Sequence, residues 1–244
     1  MNKTKIEWTD FTWNPVTGCK HGCTYCYAKK ITERFRQNFP NGFEPMFHGD
    51  RIIEPYHLRP ASKIFTVSMG DLFGSWVPYS WQKEVFKAID DNPRHTFQIL
   101  TKDPYNASKA LLQFFTRIPD NLWIGTSVDR AHVKARIKWL PERSYGGIRF
   151  VSFEPLLEDI GAVDLSGIDW IIIGAQTNPT VRPDPKWVQS LIDQAWYAGA
   201  EVFLKDSIQS WWPKEIRDYP QTSSDLRNSE ETNCQPFICN GIEK

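Results

Sequence analysis

The chain has 244 residues, 41% hydrophobic and 24% charged, and its 29 Lys and Arg balance 29 Asp and Glu to a formal net charge of zero. That is an ordinary globular composition, and its neutrality excludes global basicity as an argument for nucleic-acid binding. No apolar run reaches the roughly 18 residues of a membrane helix, and the start MNKTKIEWTD offers no apolar stretch for a signal peptide, so a cytoplasmic location is expected.

In chain order, residues 11–18 read as the first strand and its continuation, and residues 24–38 have helical period. Residues 39–60, with Pro40, Gly42, Pro45, Gly49, Pro55 and Pro60, read as an inserted loop region. From there, short Ile, Val and Phe runs at 64–68, 97–100, 122–127, 149–152, 170–174 and 201–204 alternate with helical segments at 81–90, 106–117, 131–140 and 186–197. The near-continuous hydrophobicity of these runs predicts parallel strands covered on both faces. Asp103-Pro104 supplies a helix start and Ala198-Gly199 a stop. The expected fold is α/β: six or seven βα units in a partial or near-complete (β/α) barrel of parallel strands, spanning residues 1–218, with strand C-terminal ends on one face. Residues 219–244 form a polar tail.

Residues 130–149 carry Arg130, Lys134, Arg136, Lys138, Arg143 and Arg149 against Glu142. A solvated helix face accounts for this pattern, with a polyanion contact as the alternative. The 11 Trp, among them Trp8, Trp13, Trp76, Trp81, Trp211 and Trp212, are expected mostly in the core. His48, His57, His95 and His132 have no ligand spacing to one another and are left as solvated or structural.

The informative signal is Cys19-Lys20-His21-Gly22-Cys23-Thr24-Tyr25-Cys26, a C-x3-C-x2-C cluster directly after the first strand. Thiolates are soft ligands for iron-sulfur clusters or zinc. A closed zinc site wants four ligands, for which only His21 is near, whereas a 4Fe-4S cluster on three thiolates keeps one iron free. Cys234 and Cys239 lack further ligands in the tail and read as spare thiols.

With Tyr25 before the third cysteine, this motif resembles that of the radical S-adenosylmethionine (SAM) superfamily. The string Trp13-Asn14-Pro15-Val16-Thr17-Gly18-Cys19, with Gly22-Cys23 and Cys26-Tyr27-Ala28, is similar to an uncharacterised, phage-associated branch. Further similarity lies in residues 152–156, 174–183 and 203–205. The resemblance implies a radical-SAM-like barrel in which Cys19, Cys23 and Cys26 hold a 4Fe-4S cluster whose free iron binds SAM. It also implies an electron donor such as a flavodoxin or ferredoxin, and hydrogen abstraction from an unidentified substrate, with nucleic acid or a nucleotide as the guess.

Polar residues after each apolar run would gather at the barrel mouth. Glu154, Lys102 and Lys205 are the catalytic candidates, the lysines for the SAM carboxylate or an anionic substrate, and Glu154 alternatively for a salt bridge with either lysine. Tyr25, Gly70, Asp71, Ser127 and Gln176 are the cofactor-binding candidates. Met69-Gly70-Asp71 stands where the superfamily has a Gly-Gly-Glu-like turn, which implies Asp71 as acceptor for the SAM amino group. Gln176 stands where a glutamate is expected. The competing function is a non-catalytic, metal-stabilised nucleic-acid-binding protein; a hydrolase or isomerase with incidental cysteines is a third.

Overall fold

A computed structural model describes residues 1–221. The strands in chain order are Asn2–Lys3 (β1), Phe11–Trp13 (β2), Val16–Thr17 (β3), Met46–Phe47 (β4), Lys63–Thr66 (β5), Thr96–Thr101 (β6), Leu122–Ser127 (β7), Ile148–Phe153 (β8), Trp170–Ile173 (β9), Gln176–Thr177 (β10), Thr180–Val181 (β11) and Glu201–Leu204 (β12). The α-helices are Tyr27–Arg34 (α1), Glu54–His57 (α2), Tyr79–Asp90 (α3), Pro104–Phe114 (α4), Pro185–Ala198 (α5) and Asp206–Gln209 (α6). Eight strands form one sheet in the order β1-β2-β5-β6-β7-β8-β9-β12. Every neighbouring pair is parallel except β1 with β2. The expected partial barrel of seven parallel strands is therefore present.

The curl of the sheet is visible in one ring. Strands β5 and β9 are four steps apart, about 19 Å in a flat sheet. Yet the Trp8 ring lies 4.7 Å from Phe65 on β5 and 6.1 Å from Trp170 on β9. Trp8, Phe65, Trp123, Phe150, Trp170, Ile172 and Phe203 thus fill the lumen as a separate apolar cluster, while the main core lies between the outer sheet face and the helices. Gly125 makes room for this plug, since a Cβ there would sit 2.5 Å from the Phe150 ring.

Several sequence expectations need correction. The first strand does not run from 11 to 18: it stops at Trp13, and β3 leaves the sheet to pair with β4, inside the stretch read as loop. Pro15 has no N–H for a ladder, and the Asn14 side chain turns to Ser68 and the Met69 N–H. The first helix starts only at Tyr27, because Cys26 is its cap, and after Arg34 gives way to a 3-10 turn, Arg36–Asn38. The segment Ala131–Trp139 is 3-10 rather than α-helical and has no side-chain cap. Part of the basic stretch around it is tied into the fold. Lys134 donates to the Ile160 and Ala162 carbonyls, Arg136 to Ser127, and Arg149 to Gly167, while Arg143 pairs with Asp169.

Candidate functional site

The cysteine loop is set by a close backbone crossing. Gly18, at φ +87°, bridges Gly70 beyond the end of β5, and a Cβ on Gly18 would lie 2.2 Å from the Glu44 carbonyl oxygen. A Cβ on Gly70 would lie 2.9 Å from the Gly18 oxygen. Both positions need glycine for the chain to turn into the loop. Cys19, Cys23 and Cys26 follow as half-buried free thiols. All three line one cavity of about 700 Å³ at the C-terminal ends of the strands. Cys26 Sγ also accepts from the Lys29 N–H at 3.4 Å, so the third cysteine ends the loop and caps α1. Burial pushes the Cys19 thiol up to about 12, with the negative charge of Asp71 adding to it.

Two carboxylates hold the loop from opposite sides. His21 Nε2 lies 2.7 Å from Asp71 Oδ2. Asp71 is 3% exposed and also accepts from Thr101 Oγ1, the Phe73 N–H and the Lys102 N–H. Burial alone would raise its pKa, but these donors outweigh it and hold the carboxyl below the usual range. Asp71 borders the cavity, and its two oxygens already accept from four donors of the protein. Tyr25 donates to Asp129 Oδ2 at 2.5 Å and accepts from Lys102 Nζ at 2.9 Å. Burial and the Asp129 bond raise the Tyr25 hydroxyl well above its ordinary value.

On the far side of the cavity Lys205 Nζ lies 2.5 Å from Glu154 Oε1 and 3.7 Å from Glu7 Oε2. Of the two lysines considered as partners for Glu154, the structure selects Lys205. Gly174 makes room for this pair, because a Cβ there would come within 2.9 Å of Glu154 and 3.1 Å of Lys205. Gly70, Ser127 and Gln176 line the same cavity, and Gln176 opens a short hairpin, β10–β11, where a plain βα turn was expected. All the candidate residues thus surround one space. Sequence reasoning missed Asp129 and Glu7. The strand-end rule reaches Asp129, two residues beyond β7; no rule reaches Glu7, which precedes the first parallel strand. His48 and His95 are structural, bonded to Thr17 Oγ1 and the Pro55 carbonyl.

A family model described as "Protein of unknown function (DUF5131)" matches residues 3–232, and the chain belongs to that family. No curated protein matches it. Solved structures of spore photoproduct lyase share its fold. A cysteine-to-alanine variant with dinucleoside spore photoproduct superposes with a TM-score of 0.52 at 13% identity, covering 95% of this chain and 73% of that one. A second complex with the same ligand gives 0.50 at 12% identity, with 95% and 74% covered. A doubly substituted variant with bound AdoMet and dinucleoside spore photoproduct gives 0.51 at 12% identity over the same shares. At such identity the likeness is one of fold, and that fold is the radical-SAM-like partial barrel.

Proposed function

We propose that this chain is a radical SAM enzyme in which Cys19, Cys23 and Cys26 ligate a 4Fe-4S cluster and the cavity beside them binds SAM and substrate. The observation that carries the reading is three thiols on one short loop, with no fourth cysteine beside them among the described residues, opening on one cavity at the mouth of a parallel partial barrel. The donor set suits an open cluster. A closed zinc site would have to draw its fourth ligand, His21, from the same eight-residue loop, which is cramped for a tetrahedron, and His21 Nε2 is bonded to Asp71. When bound, the cluster supplies one electron that cleaves SAM to methionine and a 5′-deoxyadenosyl radical competent to abstract hydrogen.

The chain's own residues do the positioning. Asp71 and Asp129 fix the loop through His21 and Tyr25. Lys102, held by Tyr25 and facing the cavity, offers a positive charge to the SAM carboxylate. The Lys205–Glu154 pair presents an acid-base couple at the opposite wall for the substrate. Trp8 and Phe65 floor the cavity with apolar surface that keeps water from the reacting atoms. The dinucleoside ligand of the fold neighbours supports a nucleic-acid or nucleotide substrate, and a flavodoxin or ferredoxin is proposed as reductant. Residues 1–218 are proposed as the catalytic domain. Most of the polar tail, including Cys234 and Cys239, lies outside the described residues. Among those described, no helix is long and apolar enough to cross a membrane. The alternative of a metal-stabilised binding protein is the less supported reading, because Lys134, Arg136, Arg143 and Arg149 of the basic stretch are tied to carbonyls or to Asp169.

Anaerobic reconstitution with iron and sulfide tests the reading. It expects about four irons per chain, lost in Cys23→Ala, an EPR signal after dithionite reduction that shifts with SAM, and release of 5′-deoxyadenosine. A colourless protein holding one zinc and indifferent to SAM would overturn it.

A further inference from the structure

Helix α1 is inverted relative to an ordinary surface helix. A helix of this kind buries its large apolar stripe against the core. Here the buried residues are Ala28 and Thr32, whereas Tyr27 and Ile31, with Phe35 at the C-cap four residues on, are 51%, 36% and 42% exposed, the Tyr27 hydroxyl donating to the Ser68 carbonyl. That stripe is one wall of the cavity, and Lys30 and Arg34 stand in the same wall. The helix and the turn after it carry Lys29, Lys30, Arg34 and Arg36 against Glu33. Among the described residues none of these four cations forms an ion pair with a carboxylate. Lys30 Nζ reaches across the opening to the Asn178 carbonyl at 3.2 Å, and the Arg34 guanidinium lies 5.3 Å from the Phe35 ring centre.

Among the described residues nothing covers this apolar stripe and no carboxylate pairs with the cations beside it, which is the kind of surface that a single nucleic-acid strand uses, with bases against rings and phosphates beside Lys and Arg. The place of the stripe selects the occupant. It leads into a cavity of about 700 Å³, too small for the face of a folded protein yet large enough for one unit of an extended polymer. The cations select a polyanion over a neutral peptide. We propose that α1 is the docking surface for single-stranded nucleic acid, or for a strand opened locally from a duplex, which lies along Tyr27, Ile31 and Phe35 with its phosphates at Lys30 and Arg34 and delivers one nucleotide into the cavity. This names the substrate class of the proposed enzyme and rests on the cavity being its reaction site.

The test is fluorescence anisotropy of the full chain with a labelled oligothymidylate of about a dozen nucleotides, beside an abasic strand of equal length, across a salt series. Wild type is expected to bind with log K falling linearly in log salt. The double variant Lys30→Glu, Arg34→Glu is expected to bind at least ten times more weakly and to lower the slope by about 1.4, roughly 0.7 per cation. Phe35→Ala should weaken the thymidylate about tenfold while leaving the abasic strand unaffected. Lys109→Glu, on the exposed face of α4, should change neither and so controls for total charge. No binding at low salt, an equal loss in Lys109→Glu, or retention of an acidic flavodoxin through Arg34 in place of the strand would overturn the proposal. Strand binding by a chain that assembles no iron-sulfur cluster would support this surface and sink the enzyme reading alone.

Discussion

At Asp71 four donors converge on one buried carboxylate from three parts of the site: His21 in the cysteine loop, the Phe73 N–H two residues on, and Thr101 and the Lys102 N–H at the end of β6. Asp71→Ala leaves these donors unmet in a dry place, so it is expected to cost about 2–4 kcal/mol in urea unfolding and to lower the iron retained after reconstitution. A variant of wild-type stability with full iron would show that the loop is held otherwise. Lys205 gives a prediction with a pH sign. Burial lowers its pKa, but Glu154 and Glu7 outweigh burial and raise it above the ordinary lysine value. A raised folded pKa means that the stabilisation is complete below the unfolded value of about 10.4 and is lost as pH rises through the folded value. Lys205→Met is therefore expected to be less stable than wild type by about 2 kcal/mol at neutral pH. That difference should hold to about pH 10 and shrink above it. A difference that persisted undiminished well beyond about pH 10 would assign the effect to packing of the side chain rather than to the ammonium.

Among the elements, β7 and β12 were legible in the sequence residue for residue, and β5, β6, β8 and β9 to within a residue or two, because fully buried parallel strands are unbroken apolar runs. Residues whose structure is set by distant partners were not legible. Nothing local in the apolar pattern of residues 131–140 says that Lys134 and Arg136 will reach carbonyls on other segments and hold the backbone in a tight 3-10 form. The β3–β4 pairing joins residues some thirty positions apart through a stretch of Pro and Gly that reads as loop. At the site, the cysteines were legible because their spacing is local; Asp71 was found but its donors were not, since burial beyond the end of β5 depends on what the cysteine loop places over it. Gly125 is a comparable case on the lumen face. A Cβ there meets the Phe150 ring, which is itself wedged against Trp8 and Trp170. Gly125→Ala is expected to cost about 1–3 kcal/mol by overpacking. An unchanged melting temperature would show that the plug yields more easily than its packing implies.

For the molecule as a whole, the question is what closes a barrel whose edge strands β1 and β12 do not pair among the described residues. The segment before β2 does this work from inside. Glu7 accepts from the Asp206 N–H and pairs with Lys205, Tyr219 donates to the Glu7 carbonyl, and the next residue, Trp8, packs on Phe65, Phe150 and Trp170. The first residues of the chain are thereby joined to the last strand and to the middle of the sheet, and the same ring floors the cavity. Trp8→Ala is expected to cost about 3–5 kcal/mol, because no neighbouring side chain can fill the centre of the lumen without leaving its own strand. Trp8→Phe keeps a ring there and removes an indole N–H that has no hydrogen-bond partner, so it should cost under about 1.5 kcal/mol. Trp139→Ala, at a half-exposed ring, should cost within about 0.5 kcal/mol. Urea unfolding of the three variants checks the order. If Trp8→Ala cost no more than Trp139→Ala, the lumen would be held by the strands alone, and the N-terminal segment would be a cover rather than the plug that gives the cavity its floor.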